Sequence, residues 1–124
     1  DLEAAKEAMA AAGFRYREVA GVELFLDGPE GRPSDGVHLL FSGEKVRSDY
    51  VAPVPDVDES DSFTAFRVIS LEALVRMKLT SFRRKDQVHI QDMIGVGLID
   101  QTWTARFTPE LAARLQELLD DPEG

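Results

Sequence analysis

An α+β domain, with a small mixed or antiparallel sheet of about four strands covered by helices, is predicted by three features of the chain. Apolar residues recur at helical spacing before Gly13, alternate with polar ones between Phe14 and Phe41, and return to helical spacing in three stripes after Ser70.

Each element follows from local signals. Leu2, Ala5, Met9 and Ala12, with Ala8 beside them, make one face of a first helix that opens at the start of the chain and ends at Gly13, a residue suited to a left-handed C-terminal position. Phe14 and Tyr16 then alternate with Arg15 and Arg17, and Val22, Leu24 and Leu26 with Glu23 and Asp27, around a Val19-Ala20-Gly21 turn. Gly28, Pro29, Gly31, Pro33 and Gly36 mark an exposed loop. Val37 to Phe41 is expected as a third strand, with His38 and Leu40 on the face opposite Val37, Leu39 and Phe41.

From Ser42 the alternation fails. Pro53, Pro55 and the acidic run Asp56, Asp58, Glu59, Asp61 predict an extended connection over about 42–65, not a strand pair. A last short strand is expected around Phe66 and Val68, after which Ser70 can cap a helix beginning at Leu71. A second helix is expected over Asp86 to Gly97, with Gly95 and Gly97 at its end. Trp103 and Phe107 read as anchors in a connecting segment, and Thr108-Pro109-Glu110 starts a final helix with the stripe Leu111, Leu115, Leu118, Leu119.

Composition narrows the function. At 124 residues and 44% apolar content the most economical organisation is a single domain over 1–124 with one core. Lys and Arg number 14 against 23 Asp and Glu, a formal charge of -9 that repels polyphosphates and anionic lipid, so a broad nucleic-acid groove is disfavoured. With no cysteine there is no disulfide, thiolate metal site or cysteine nucleophile, in keeping with a reducing, cytoplasmic setting. Neither a membrane-spanning run nor a signal peptide is expected.

The charge balance reverses between Leu71 and Gly97, where Arg76, Lys78, Arg83, Arg84 and Lys85 outnumber Glu72, Asp86 and Asp92. On a helix from Leu71 to Phe82 the residues Leu71, Leu74, Val75, Leu79 and Phe82 form one stripe, and Lys78 falls within about 20° of its middle at 100° per residue. An ammonium there must meet a carboxylate, meet a ligand anion or snorkel into a cleft. On the next helix Asp86 shares the side of Ile90, Met93 and Ile94, so the two charges are expected to face each other. Two readings stand side by side. Lys78 binds a phosphate or carboxylate, or it forms a structural ion pair with Asp86; Asp86 for its part can simply cap its helix.

Arg83-Arg84-Lys85 lies at a helix junction, where an anion could dock, although a solvated basic turn explains it too. His38 and His89 are too few to define a metal site; His89 and Asp92, three apart, form an ordinary helical surface pair or a metal-ligand pair. Asp56-Val57-Asp58 imitates a paired-carboxylate motif within an acidic loop. Gly95-Val96-Gly97 follows a helix and is no dinucleotide fingerprint. No catalytic residue is assigned.

The run FRVISLEALVRMKLTSFRRKDQVHIQDM resembles the later part of bacterial nucleotidyltransferase-like proteins related to the toxin half of abortive-infection and toxin–antitoxin systems. Lys78, Arg83, Lys85, Asp86 and Asp92 match that group's helix lysine, following arginine, Lys-Asp and further Asp; the hairpin, GVHLLF, GEKVR and PVPDV also fit its layout. The resemblance implies a truncated nucleotidyltransferase-like fold. The group's Gly-Ser turn and Asp-x-Asp strand would precede the first helix here, and His38 occupies the slot of a third carboxylate. The expectation is therefore a relative without autonomous catalysis that retains nucleotide or phosphate binding through Lys78, Arg83, Lys85 and Asp86, with no metal ligands of its own; Mg2+ and a nucleoside triphosphate enter only where family activity is retained. Two alternatives stay open: a non-catalytic interaction module, expected as a homodimer, and a fragment of an active nucleotidyltransferase.

Overall fold

Asp1 accepts the Glu3 N–H at 2.9 Å and opens α1, Leu2–Ala11, in the computed structural model, which describes residues 1–122; the last two positions of the 1–124 span lie outside the described residues. Leu2, Ala5 and Met9 of the expected stripe are half-buried, whereas Ala8 and Ala12 are exposed, and Gly13 follows at φ 90°. The chain forms two compact units, Asp1–Phe41 and Ser42–Gly124.

In the first unit, β1 (Phe14–Val19) and β2 (Val22–Asp27) pair antiparallel, and β3 (Val37–Leu39) joins the other side of β2. Ala20 and Gly21 connect β1 to β2 with φ of 51° and 77°. Two successive left-handed residues make the primed turn whose twist matches a hairpin. Leu24, Phe25 and Leu26 are all buried. Consecutive strand residues point to opposite sides, so both faces of β2 are covered, where alternation predicted one apolar and one polar face. Tyr16 meets Phe25 with ring centroids 5.8 Å apart, and Lys6 of α1 sits 4.2 Å from the Tyr16 centroid. The loop closes tightly on β2: a Cβ at Gly31 would lie 2.8 Å from the Asp27 backbone nitrogen and oxygen.

The single sheet of about four strands is corrected by the second unit, where β4 (Ser60–Ser62) and β5 (Arg67–Ile69) form a separate antiparallel ladder. The structure is α+β with sheets of three and two strands. β4 falls inside the stretch expected to be an unpaired connection. Its Ser-Asp-Ser sequence has no apolar alternation to announce a strand; pairing makes it one, through the Phe63 N–H donated to the Phe66 carbonyl at 2.8 Å and Arg67 Nε donated to Ser60 Oγ at 2.8 Å. The rest of the connection folds back on itself, with the Gly43 N–H on the Val54 carbonyl and the Val54 N–H on the Glu44 carbonyl, both at 2.9 Å.

Three helices follow: α2 (Leu71–Ser81), α3 (Arg84–Gly95) and α4 (Pro109–Asp120), with a 3-10 segment at Gln101–Arg106. Ser70 Oγ accepts the Ala73 N–H at 3.2 Å, as its place before Leu71 predicts. Val75 and Leu79 of α2, Ile90 of α3, Ile99, and Leu111, Leu115 and Leu118 of α4 form the core of this unit, with Trp103 and Phe107 packed against it. Fully burying one such side chain stabilises the fold by about 1.5–3 kcal/mol. Arg114 ties α4 to α2, donating from Nη1 to the Leu79 and Thr80 carbonyls at 2.7 and 3.0 Å. These carbonyls belong to the last turn of α2, which has no helical partners for them. No helix among the described residues is long and apolar enough to cross a membrane.

Candidate functional site

The α2–α3 corner is set by Phe82. It stands at φ 46°, in the left-handed region, and its N–H returns to the Lys78 carbonyl at 2.8 Å. One residue further, Arg83 is extended, and α3 begins at Arg84, two positions before the expected Asp86. Asp86 therefore lies inside the first turn of α3. It faces back to the corner and accepts the Arg83 N–H at 3.3 Å, which satisfies one of the orphan donors of the helix start.

That carboxylate is the hub of the site. Asp86 is only 3% exposed. Oδ2 accepts Ser81 Oγ and Arg83 Nε, each at 2.7 Å, Oδ1 accepts Arg83 Nη2 at 3.3 Å, and Lys78 Nζ stands 3.6 Å from Oδ1. Burial alone pushes the carboxyl up; the Arg83 and Ser81 hydrogen bonds and the Arg83 charge outweigh it and hold Asp86 down at about 2. The ionised carboxylate in turn raises Arg83 above its ordinary value.

Lys78 reaches this hub from the middle of α2, its side chain 16% exposed. Its closest partner is not the carboxylate but His89 Nδ1, at 2.7 Å. Arg83, with a side chain 57% exposed, keeps part of its guanidinium in solvent while it binds Asp86. The corner thus gathers Lys78, Arg83 and Asp86 of the four residues singled out from sequence. Lys85 is exposed in the first turn of α3 and is not among the partners of Asp86. Ser81 and His89 are two further members that the sequence expectation does not include. His89 stands one turn after Asp86 and so shares its face, a signal available in the spacing, whereas Asp92, the partner expected for it, is exposed.

Two cations on one carboxylate leave the cluster with a surplus positive charge. Exposed Arg84 and Lys85 add to it; the Asp86 and Gln87 N–H groups are already used on the Arg83 carbonyl, at 2.8 and 3.0 Å, which leaves the Arg84 and Lys85 amides at the positive end of α3. Such an arrangement can attract an oxyanion. Among the described residues no group of three or more His, Asp or Glu could hold a metal ion. The acidic run from Asp56 serves local structure in part: Glu59 pairs with Arg76 of α2 and also accepts the Asp56 N–H at 2.9 Å.

No family model, curated protein or solved structure matches this chain.

Proposed function

We propose that the α2–α3 corner recognises a phosphate-bearing ligand, of which a nucleotide is the first case to test, in a nucleotidyltransferase-like protein without autonomous catalysis. The observation that carries this reading is the buried Asp86 carboxylate with more cations around it than it can neutralise. Asp86 acts as the organiser: it holds Arg83 in a two-toothed contact and draws Lys78 to the same corner. Arg83 presents its solvent-facing donors, Lys78 supplies a point charge on a flexible stem, and Lys85 adds positive potential at the rim. Isothermal titration with the common nucleoside triphosphates, with and without magnesium, tests it. Binding that is lost in Arg83→Met and weakened in Lys78→Met supports the site; absence of binding at millimolar ligand removes it.

A second reading, a non-catalytic module that self-associates, is favoured by one surface. Phe63 and Phe66 stack with centroids 5.7 Å apart while 59% and 63% exposed, and Val68 of β5 is 41% exposed on the same hairpin. Apolar groups clustered in this way mark contact surfaces more often than scattered ones do. Sedimentation at several concentrations separates the two readings.

A further inference from the structure

Lys78 Nζ lies 2.7 Å from His89 Nδ1, and an ammonium has no lone pair with which to accept. With the ammonium as donor, the contact is a hydrogen bond in the tautomer that leaves Nδ1 bare and carries its proton on Nε2. A proton on Nδ1 would set two donors against each other and abolish the contact, and in the imidazolium, with both nitrogens protonated, it would set two cations side by side. The charged groups around His89 are Lys78 from α2 and, within one turn on α3 itself, Lys85, Asp86 and Asp92. From α4, which also packs on α3, Arg114 is engaged with Glu110 and the α2 carbonyls and Asp120 with Gln116, and Glu117 is the remaining charge of that helix's C-terminal half.

We infer that the Lys78–His89 contact is a proton-operated catch: uptake of a solvent proton at His89 Nδ1 frees the ammonium from the ring, leaving Asp86 as its partner, and adds a positive charge to the corner, so that capture of a tetrahedral oxyanion there is coupled to protonation of His89. The inference rests on the anion-binding reading above. The charge count shows the effect. Lys78 and Arg83 less Asp86 leave one surplus positive charge while His89 is neutral, and a second appears when it is protonated. Coupling is reciprocal: an oxyanion that draws Lys78 away leaves Nδ1 open to a proton, and a proton on Nδ1 makes Lys78 available to the oxyanion.

Two measurements on the full chain test this. In the free protein, the Lys78 Cε and Nζ resonances are followed between pH 8 and pH 5 as reporters of its neighbours. Those resonances are expected to move along the same curve as the His89 ring signals and to stand still in His89→Gln, which changes an exposed residue. Lys78 signals that stay flat while His89 titrates, or that still move in His89→Gln, overturn the catch. Sulfate, fully ionised throughout, is then titrated at pH 8 and pH 5.5. Affinity is expected to rise about threefold to tenfold on acidification, the effect of one added charge on a dianion across roughly 6 Å of water, and not in His89→Gln. Equal affinity at both pH values overturns the coupling and leaves the anion site. No sulfate binding at either pH, with Lys78 still following His89, overturns the anion reading and the coupling with it, while the catch itself stands.

Discussion

Asp86 is the residue on which the corner depends, and its ionised state can be read out as stability. The folded carboxyl titrates at about 2, below its ordinary 3.8. Between those values the unfolded chain binds the extra proton, so the contribution of Asp86 is fully present above about pH 4 and is lost as pH falls through 2. The gap corresponds to about 2 kcal/mol. Chemical denaturation of wild type and Asp86→Asn at pH 6, 4, 3 and 2 checks this: the variant is expected to be less stable by about 3 kcal/mol at pH 6, because Arg83 and Lys78 lose their shared anion, and the difference should narrow toward pH 2. A pH-independent difference would show that packing, not charge, holds the corner. Lys78→Met in the same series is expected to cost much less, since Ser81 and Arg83 still satisfy the carboxylate; a collapse would make the lysine structural. The positions of Lys78 and Asp86 were legible because helical spacing alone puts each on an apolar face. The Lys78–His89 contact was not, because it depends on the angle between two helices, and that angle is set by a left-handed Phe82 that nothing in the residue type foretells.

At the scale of elements, the starts of α2 and α4 are well marked in the sequence, that of α3 lies two residues before the expected Asp86, and strand pairings are poorly marked. Ser70 and Pro109 lie where the caps demand, and the stripe Leu111, Leu115, Leu118 is buried, because an apolar face repeating every three to four residues has few other ways to leave water. β4 was invisible because its three residues are polar and its partner lies across a turn. The β1–β2 hairpin is an intermediate case: its turn was placed correctly, yet its first central residue is an alanine. Ala20 at φ 51° occupies a region that a Cβ makes unfavourable by about 1–2 kcal/mol. Asparagine tolerates that region and, followed by glycine, is the favoured primed-turn pair. Ala20→Asn is therefore expected to raise stability by about 0.5–1 kcal/mol, visible as a higher urea midpoint with an unchanged slope. An unchanged or lower midpoint would count against the primed turn.

For the whole molecule, the formal charge of -9 and the exposed hairpin act against each other. Two copies brought together repel through their net charge, while Phe63, Phe66 and Val68 gain by leaving water. Salt discriminates between the two forces: at about 0.5 M it shortens the range of charge repulsion to a few ångströms and leaves apolar burial intact or strengthened. Self-association through this hairpin should therefore increase with salt, whereas association through surface ion pairs should weaken. Sedimentation velocity over a wide concentration range, at about 0.05 M and 0.5 M salt, is expected to show a heavier species that grows with both variables and is lost in Phe63→Ser with Phe66→Ser. Both side chains are more than half exposed, so their replacement leaves the buried core of the helical unit untouched. A clean monomer at the highest concentration in both salts would remove the self-association reading and leave the α2–α3 corner as the feature with a functional claim.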